Sequence, residues 1–146
     1  MSNDGTRRVI AQGTFDIVHT GHVHYFEEAA KQGDELVVII SRRQNPVHQK
    51  EPILPARQRR DLIAALDVVD VAILGHESDI FVPIERLDPD VIVLGHDQHH
   101  DVDQLKSALA ERDIECDIAR ASPKPKEEGE VLSTADIIDR IVEREC

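Results

Sequence analysis

The sequence predicts a three-layer α/β fold, a parallel five-stranded sheet with helices on both faces. Three observations predict it. Apolar runs recur along the whole chain, most of them are continuous rather than alternating, and helical patterns fall between them. Continuous β-branched runs are what strands buried on both faces require. Strands alternating with helices make right-handed crossovers, and such sheets bind ligands beyond the carboxyl ends of their strands.

The five strand-like runs are "VIA" (9–11), "LVVII" (36–40), "VAIL" (71–74), "VIVLG" (91–95) and "CDIA" (116–119). Between the first two, "GHVHYFEEAAKQG" places Val23, Phe26 and Ala30 at i, i+3 and i+7, with Gly33 as a C-terminal stop. Pro55 opens "PARQRRDLIAAL" at a first-turn position. "DVDQLKSALAERD" puts Val102, Leu105 and Leu109 on one face. "STADIIDRIVERE" begins at Ser133 with Asp136 three residues later, resembling a capping box, and carries the stripe Ile137, Ile138, Ile141 and Val142. Three polar segments follow strands and so open at the ligand-binding edge: 41–54, 95–101 and 120–132.

Composition bounds the function. A length of 146 residues fits one domain, expected to span 1–146. Aromatic content is 3% with no Trp, so the core must rest on Val, Ile, Leu and Ala. A net charge of -12 argues against nucleic acid as partner, because phosphate backbones need a cationic surface. No run approaches a membrane span, and "MSNDGTRR" lacks a signal-peptide core, so no membrane partner and a cytoplasmic location are expected. The basic residues are 12 Arg and 5 Lys, an acidic and Lys-poor balance suited to a salt-rich, halophilic cytoplasm. Cys116 and Cys146 read as free thiols.

Chemistry concentrates in "GTFDIVHTGH" (13–22), directly after the first strand. The chain turns at Gly13 and a helix begins near Gly21. A helix N-terminus offers unpaired N–H groups and the positive end of a dipole to an anion, and glycine lets a backbone approach closely. His19 and His22 flank that start and can converge on one anion, where imidazole donors stabilise charge on a reacting phosphate. His24 falls on another side of the helix. The segment is neither a Walker A loop nor GxGxxG, and the histidine pair lacks a third metal ligand at helical spacing. "GHDQHHD" offers His96, Asp97, His99, His100 and Asp101, but in no closed tetrahedral spacing, so no protein-held metal is expected.

"GTFDIVHTGH" resembles the HxGH signature of the nucleotidyltransferase superfamily in its cytidylyltransferase style. "LSTADII" (132–138) is similar to that superfamily's Ser-Thr motif, and "RRDLIAALDVVD" (59–70) to its Arg-bearing helix leading into a "VD" strand. All three stand in the family's order across nearly the whole chain, which implies a Rossmann-like, HUP-type fold. The Gly95, Asp97 and Gln98 turn, "EPILPARQRR" and the terminal "REC" resemble the archaeal FAD synthases. The pair Arg42–Arg43 stands where glycerol-phosphate cytidylyltransferases carry an acidic residue. The resemblance therefore implies FMN adenylyltransferase activity. Glycerol-3-phosphate cytidylyltransferase, or another transfer to a phosphate acceptor such as nicotinamide mononucleotide, stays open. A binding module that had kept only the fold would have lost His19, His22, Arg59 or Ser133, and all four are present.

The resemblance also implies roles. His19 and His22 contact the nucleotide phosphates and the transition state, and Gly13, Thr14 and the Phe15 amide hold the α-phosphate region. Asp16 orients the loop or a substrate group. Lys50 neutralises the outer phosphates, and Arg59 binds phosphate while its neighbour Arg60 points away to the surface. Asp97 and Gln98 recognise base and ribose. Arg120 reaches the triphosphate, with Lys124 or Lys126 as substitutes, and Ser133 and Thr134 donate to the leaving phosphates. The implied partners are ATP, or CTP, and FMN. The implied cofactor is a divalent metal, Mg²⁺, carried by the ATP phosphates, and the implied assembly is a homodimer.

Overall fold

A computed structural model describes residues 5–42, 52–96 and 101–145. Five strands, β1 (Arg8–Gly13), β2 (Glu35–Ile40), β3 (Val71–Leu74), β4 (Val91–Leu94) and β5 (Asp117–Arg120), alternate with five helices. The helices are α1 (Thr20–Ala30), α2 (Ala56–Ala64), α3 (Phe81–Leu87), α4 (Val102–Glu111) and α5 (Thr134–Glu145). All strand pairings are parallel, in the order β3-β2-β1-β4-β5. The chain winds outward from β1 to β3, then returns to place β4 on the other side of β1. The crevice beyond β1 and β4 is thus the topological switch point of the sheet.

Strand residues alternate between two cores, as the pleat requires. Val9, Ala11, Leu36, Val38, Val91 and Val93 pack with Phe26 and Ala29 of α1 and Ile63 of α2. Ile10, Ile39, Ile92 and Leu94 face the opposite layer, against Ile84 of α3 and Leu109 of α4. These are the three layers that the continuous apolar runs imply.

Several boundaries differ from expectation for physical reasons. α3 was not legible: it has seven residues and contains Pro83, which is tolerated only because it lies in the first turn. Gly33 is not the stop of α1, which caps at Lys31. Instead a Cβ at Gly33 would sit 2.6 Å from the Arg7 carbonyl oxygen, so the glycine permits a close crossing over the start of β1. The buried face of α1 is Tyr25, Phe26 and Ala29 rather than Val23, Phe26 and Ala30. Pro55 stands one position earlier than expected, as the N-cap of α2. β5 runs one residue further, so Arg120 is its last residue. α5 buries none of its residues, and Ile141 and Val142 of its stripe are exposed.

Candidate active site

β1 pairs with β4 only from Val9 to Ala11, although β1 continues to Gly13. The two strands part there, and the Tyr25 hydroxyl fills the gap. It accepts from the Gln12 N–H at 3.4 Å and donates to the Val93 carbonyl at 2.5 Å. This single hydroxyl bonds one backbone group of each strand where the two part. It also explains why Tyr25, and not Val23, faces inward.

Beyond the parting lies a cavity of about 490 Å³ lined by Gly13, Thr14, Phe15, His19, His22, Ser133 and Thr134 among others. These seven expected site residues are brought together. His24 and Tyr25 also line it, as do Lys124 and Lys126. His24 was expected on another side of α1; its Nε2 lies 3.0 Å from the Ser122 carbonyl oxygen, which turns it toward the wall formed by 121–132.

The turn from β1 into α1 is built around two imidazoles. His19 is the N-cap of α1, and its Nδ1 accepts from the Gly21 N–H at 3.0 Å. His22 reciprocates, its Nδ1 accepting from the His19 N–H at 3.3 Å. The result is a capping box made of histidines, satisfying two donors at the helix start. The rings stack with centroids 3.7 Å apart at 24°. Because each Nδ1 accepts, each neutral ring carries its proton on Nε2. Gly21 is obligatory to this arrangement: a Cβ there would lie 2.8 Å from His19 Cε1 and 3.1 Å from the Leu132 carbonyl oxygen.

Phe15 supports the pair from below. It is buried, packs edge-on to the His22 ring at 5.4 Å, and adopts φ of 51°, a left-handed conformation uncommon for bulky residues. A Cβ at Gly13 would lie 2.7 Å from the Phe15 ring, so Gly13 makes room for it.

α5 begins at the same place. The Ser133 hydroxyl accepts from the Asp136 N–H at 3.0 Å as an N-cap, and the Thr134 hydroxyl donates to the Ile17 carbonyl at 3.4 Å. Two helix N-termini, those of α1 and α5, therefore converge on one cavity. That is an environment for negative charge.

Three expected residues lie outside the cavity lining and have other occupations. Asp16 accepts from the backbone N–H groups of Ile53 (2.7 Å) and Leu54 (2.9 Å), which pins the chain entering α2 to the turn after β1. Arg59 is 2% exposed. Its Nε donates to the Leu54 carbonyl, and one terminal nitrogen donates to the carbonyls of Thr14 and Ser41, all at 2.9 Å. Burial pulls its pKa below the ordinary range, opposed by the nearby Asp16 carboxylate. Arg59 thus clamps three segments at the edge of the sheet, and its described hydrogen bonds go to backbone carbonyls. Arg120 donates to the Gly95 carbonyl at 3.0 Å, linking the ends of β5 and β4. Arg60 points away from the clamp and is half-buried beside Asp61. Lys50, Asp97 and Gln98 lie outside the described residues.

The described lining offers imidazole, hydroxyl and ammonium donors against one carboxylate, Asp136. Among the described residues no cluster of three or more His, Cys, Asp or Glu could hold a metal. This donor set fits a phosphate chain.

The cytidylyltransferase-like family model matches residues 10–140. The chain is 64% identical over 141 residues to the FAD synthase of Haloferax volcanii, covering 96% of this chain and 99% of that one. It is 62% identical over 140 residues to the FAD synthase of Halalkalicoccus jeotgali, covering 95% and 99%. Among solved structures it is similar to the lipopolysaccharide core biosynthesis protein from Thermoplasma volcanium, at 43% identity and a TM-score of 0.78, covering 83% of this chain and 100% of that one. Pantoate-beta-alanine ligase from Francisella tularensis is alike in fold, with 18% identity, a TM-score of 0.60, and coverage of 98% and 72%. Among the described residues no helix is long and apolar enough to cross a membrane.

Proposed function

The chain belongs to the cytidylyltransferase-like family, and from that premise we propose that it is an FAD synthase, transferring AMP from ATP to the phosphate of FMN with release of pyrophosphate. The observation that carries this reading is the near-full-length likeness to relatives of that name. The cavity supports the reaction type, and the relatives' name gives FAD as the product, for which FMN is the phosphate acceptor. Cytidylyl transfer to glycerol 3-phosphate is not favoured, since those relatives are named for the flavin reaction.

In this reading an oxygen of the FMN phosphate attacks the α-phosphorus of ATP in line. The new P–O bond forms as the bond to the β-phosphate oxygen breaks, and the electron pair leaves with pyrophosphate. The phosphate nucleophile has its second pKa at about 6 and is largely ionised at neutral pH. No general base and no covalent intermediate are required. The protein's work is alignment and charge stabilisation.

His19 and His22 supply Nε2–H donors to the α-phosphate oxygens. Thr14 and the Phe15 N–H line the same position, and Ser133 and Thr134 receive the leaving phosphates at the start of α5. Arg59 and Asp16 act as positioning residues through the backbone they hold. Lys50 serves the outer phosphates, and Asp97 and Gln98 serve the base and ribose. A Mg²⁺ held by the triphosphate, with Asp136 as the carboxylate at hand, would supply charge neutralisation of the pyrophosphate. A homodimer belongs to the same proposal, and sedimentation equilibrium tests it.

The test is a matrix of FMN, glycerol 3-phosphate and nicotinamide mononucleotide, each with ATP or CTP, followed by pyrophosphate release. FMN with ATP is the expected productive pair. Turnover confined to another pair contradicts the reading.

A further inference from the structure

The segment 121–132 joins β5 to α5 without forming a helix or strand of its own. It contributes Lys124 and Lys126 to the cavity wall, the two cationic side chains, histidines aside, among the described lining residues. In a chain of net charge -12 with five lysines, both placements run against the overall field.

Lys124 is held and Lys126 is exposed. The Lys124 ammonium lies 2.7 Å from Glu130 Oε1, with side chains 20% and 15% exposed. The other carboxylate oxygen of Glu130 accepts from the Thr20 hydroxyl at 2.6 Å. The Glu127 N–H adds a third bond to Glu130 at 3.1 Å. Thr20 is the first residue of α1, between the two positions that form the histidine cap and its obligatory glycine. Three donors hold the Glu130 carboxyl at about pKa 2, the Lys124 bond being the largest cause. Lys124 gives a second, longer bond to the Pro125 carbonyl at 3.3 Å. An ammonium has three N–H donors, and its partners among the described residues use two, which leaves one for an anion in the cavity.

We propose that Lys124 is a polyphosphate-contacting residue, and that Glu130, anchored on Thr20, is the positioning residue that holds it at the start of α1. Glu130 neutralises the ammonium in part and fixes its direction. The lysine then meets a bound triphosphate without first being ordered, which lowers the entropic cost of the contact. The proposal rests on the adenylyl-transfer reading in naming the anion as ATP.

Its test separates the two. Calorimetric titration with α,β-methylene-ATP, without any acceptor, is made on the full chain and on Lys124→Met, Glu130→Ala, Glu130→Gln and the Lys124→Met/Glu130→Ala double variant. Lys124→Met keeps the aliphatic stem. We expect Lys124→Met and Glu130→Ala each to weaken binding by about tenfold, the size of one charge-assisted hydrogen bond. The double variant should lose no more than Lys124→Met alone, because both act through one contact. Glu130→Gln, whose single amide oxygen can still accept from Lys124 while its NH2 donates to the Thr20 hydroxyl, should recover part of the loss. With FMN present, KM for ATP should rise, while kcat and KM for FMN stay within about twofold of the full chain. Unchanged affinity in Lys124→Met, additive losses in the double variant, or no binding to the unaltered chain overturns the proposal. Coupled losses in a chain that makes no FAD would support the lysine contact and contradict the acceptor reading alone.

Discussion

The His19 and His22 rings stack face to face, 3.7 Å between centroids, and each gives its Nδ1 to a backbone N–H at the start of α1. On the proposed mechanism, capping and chemistry are therefore served by opposite edges of the same rings. The cap fixes the tautomer, and the tautomer presents Nε2–H to the cavity. Nitrogen-15 NMR should find both imidazoles protonated at Nε2 at neutral pH. Protonation at Nδ1 in either ring would contradict the capping arrangement.

On the proposed mechanism, replacement of His22 removes a charge-stabilising donor along with one half of the cap. His22→Ala should lower kcat by about 10²-fold or more, with a smaller change in KM. Steady-state kinetics with saturating FMN checks this. An unchanged kcat would make His22 a purely structural residue.

Gly21→Ala isolates ring placement from ring chemistry. The new Cβ would lie 2.8 Å from His19 Cε1, and the Leu132 carbonyl behind it cannot yield as a side chain could. Alanine is otherwise favourable in a helix, so the expected outcome is a fold that survives and a kcat/KM reduced by about tenfold or more. Circular dichroism together with kinetics distinguishes this from simple unfolding.

Arg59→Lys tests the clamp. A lysine cannot span the carbonyls of Leu54, Thr14 and Ser41 with one fork. With the site buried, we expect a loss of about 2–4 kcal/mol in urea unfolding, from carbonyls left unpaired and a charge poorly placed. Stability equal to that of the unaltered chain would place the role of Arg59 in substrate contact alone.

Acid should loosen the 121–132 segment. The Glu130 carboxyl is lowered in the folded state from 4.5 to about 2. A lowered carboxylate contributes stability above its unfolded pKa and loses it as pH falls through the folded one. The window is therefore between 4.5 and about 2. Glu130→Gln should flatten the dependence of unfolding free energy on pH there, by up to about one proton taken up. Parallel curves for the two proteins would contradict the bonding seen at Glu130.

The charge of -12 predicts a salt requirement. Self-repulsion among carboxylates is screened within a Debye length of about 8 Å at physiological ionic strength and reaches further as salt falls. Melting temperature measured across KCl concentrations should drop toward low salt. A flat profile would contradict the halophilic reading.

Legibility in the sequence followed range. The sheet and its ligand-binding edge were readable because buried parallel strands leave continuous apolar runs, and the HTGH turn because a strand ran straight into polar residues three apart. The inward turn of Tyr25 was not readable, since it answers a parting between β1 and β4 that no local pattern encodes. The apolar stripe of α5 was visible, but periodicity names a face and not its partner: Ile137 and Ile138 are half-buried, and Ile141 and Val142 are exposed. Glu130 carried no signal at all: its partner Thr20 lies 110 positions away. Arg59 was found by resemblance, while its work as a three-carbonyl clamp emerged only from the packing of loops.

The most direct measurement follows the label of α-³²P-ATP in the presence of FMN. Direct adenylyl transfer predicts that it appears in FAD, one for each FMN consumed, with unlabelled pyrophosphate released and none retained on the denatured protein. Label fixed on the protein, or ATP consumed without labelled FAD, would contradict direct adenylyl transfer to FMN.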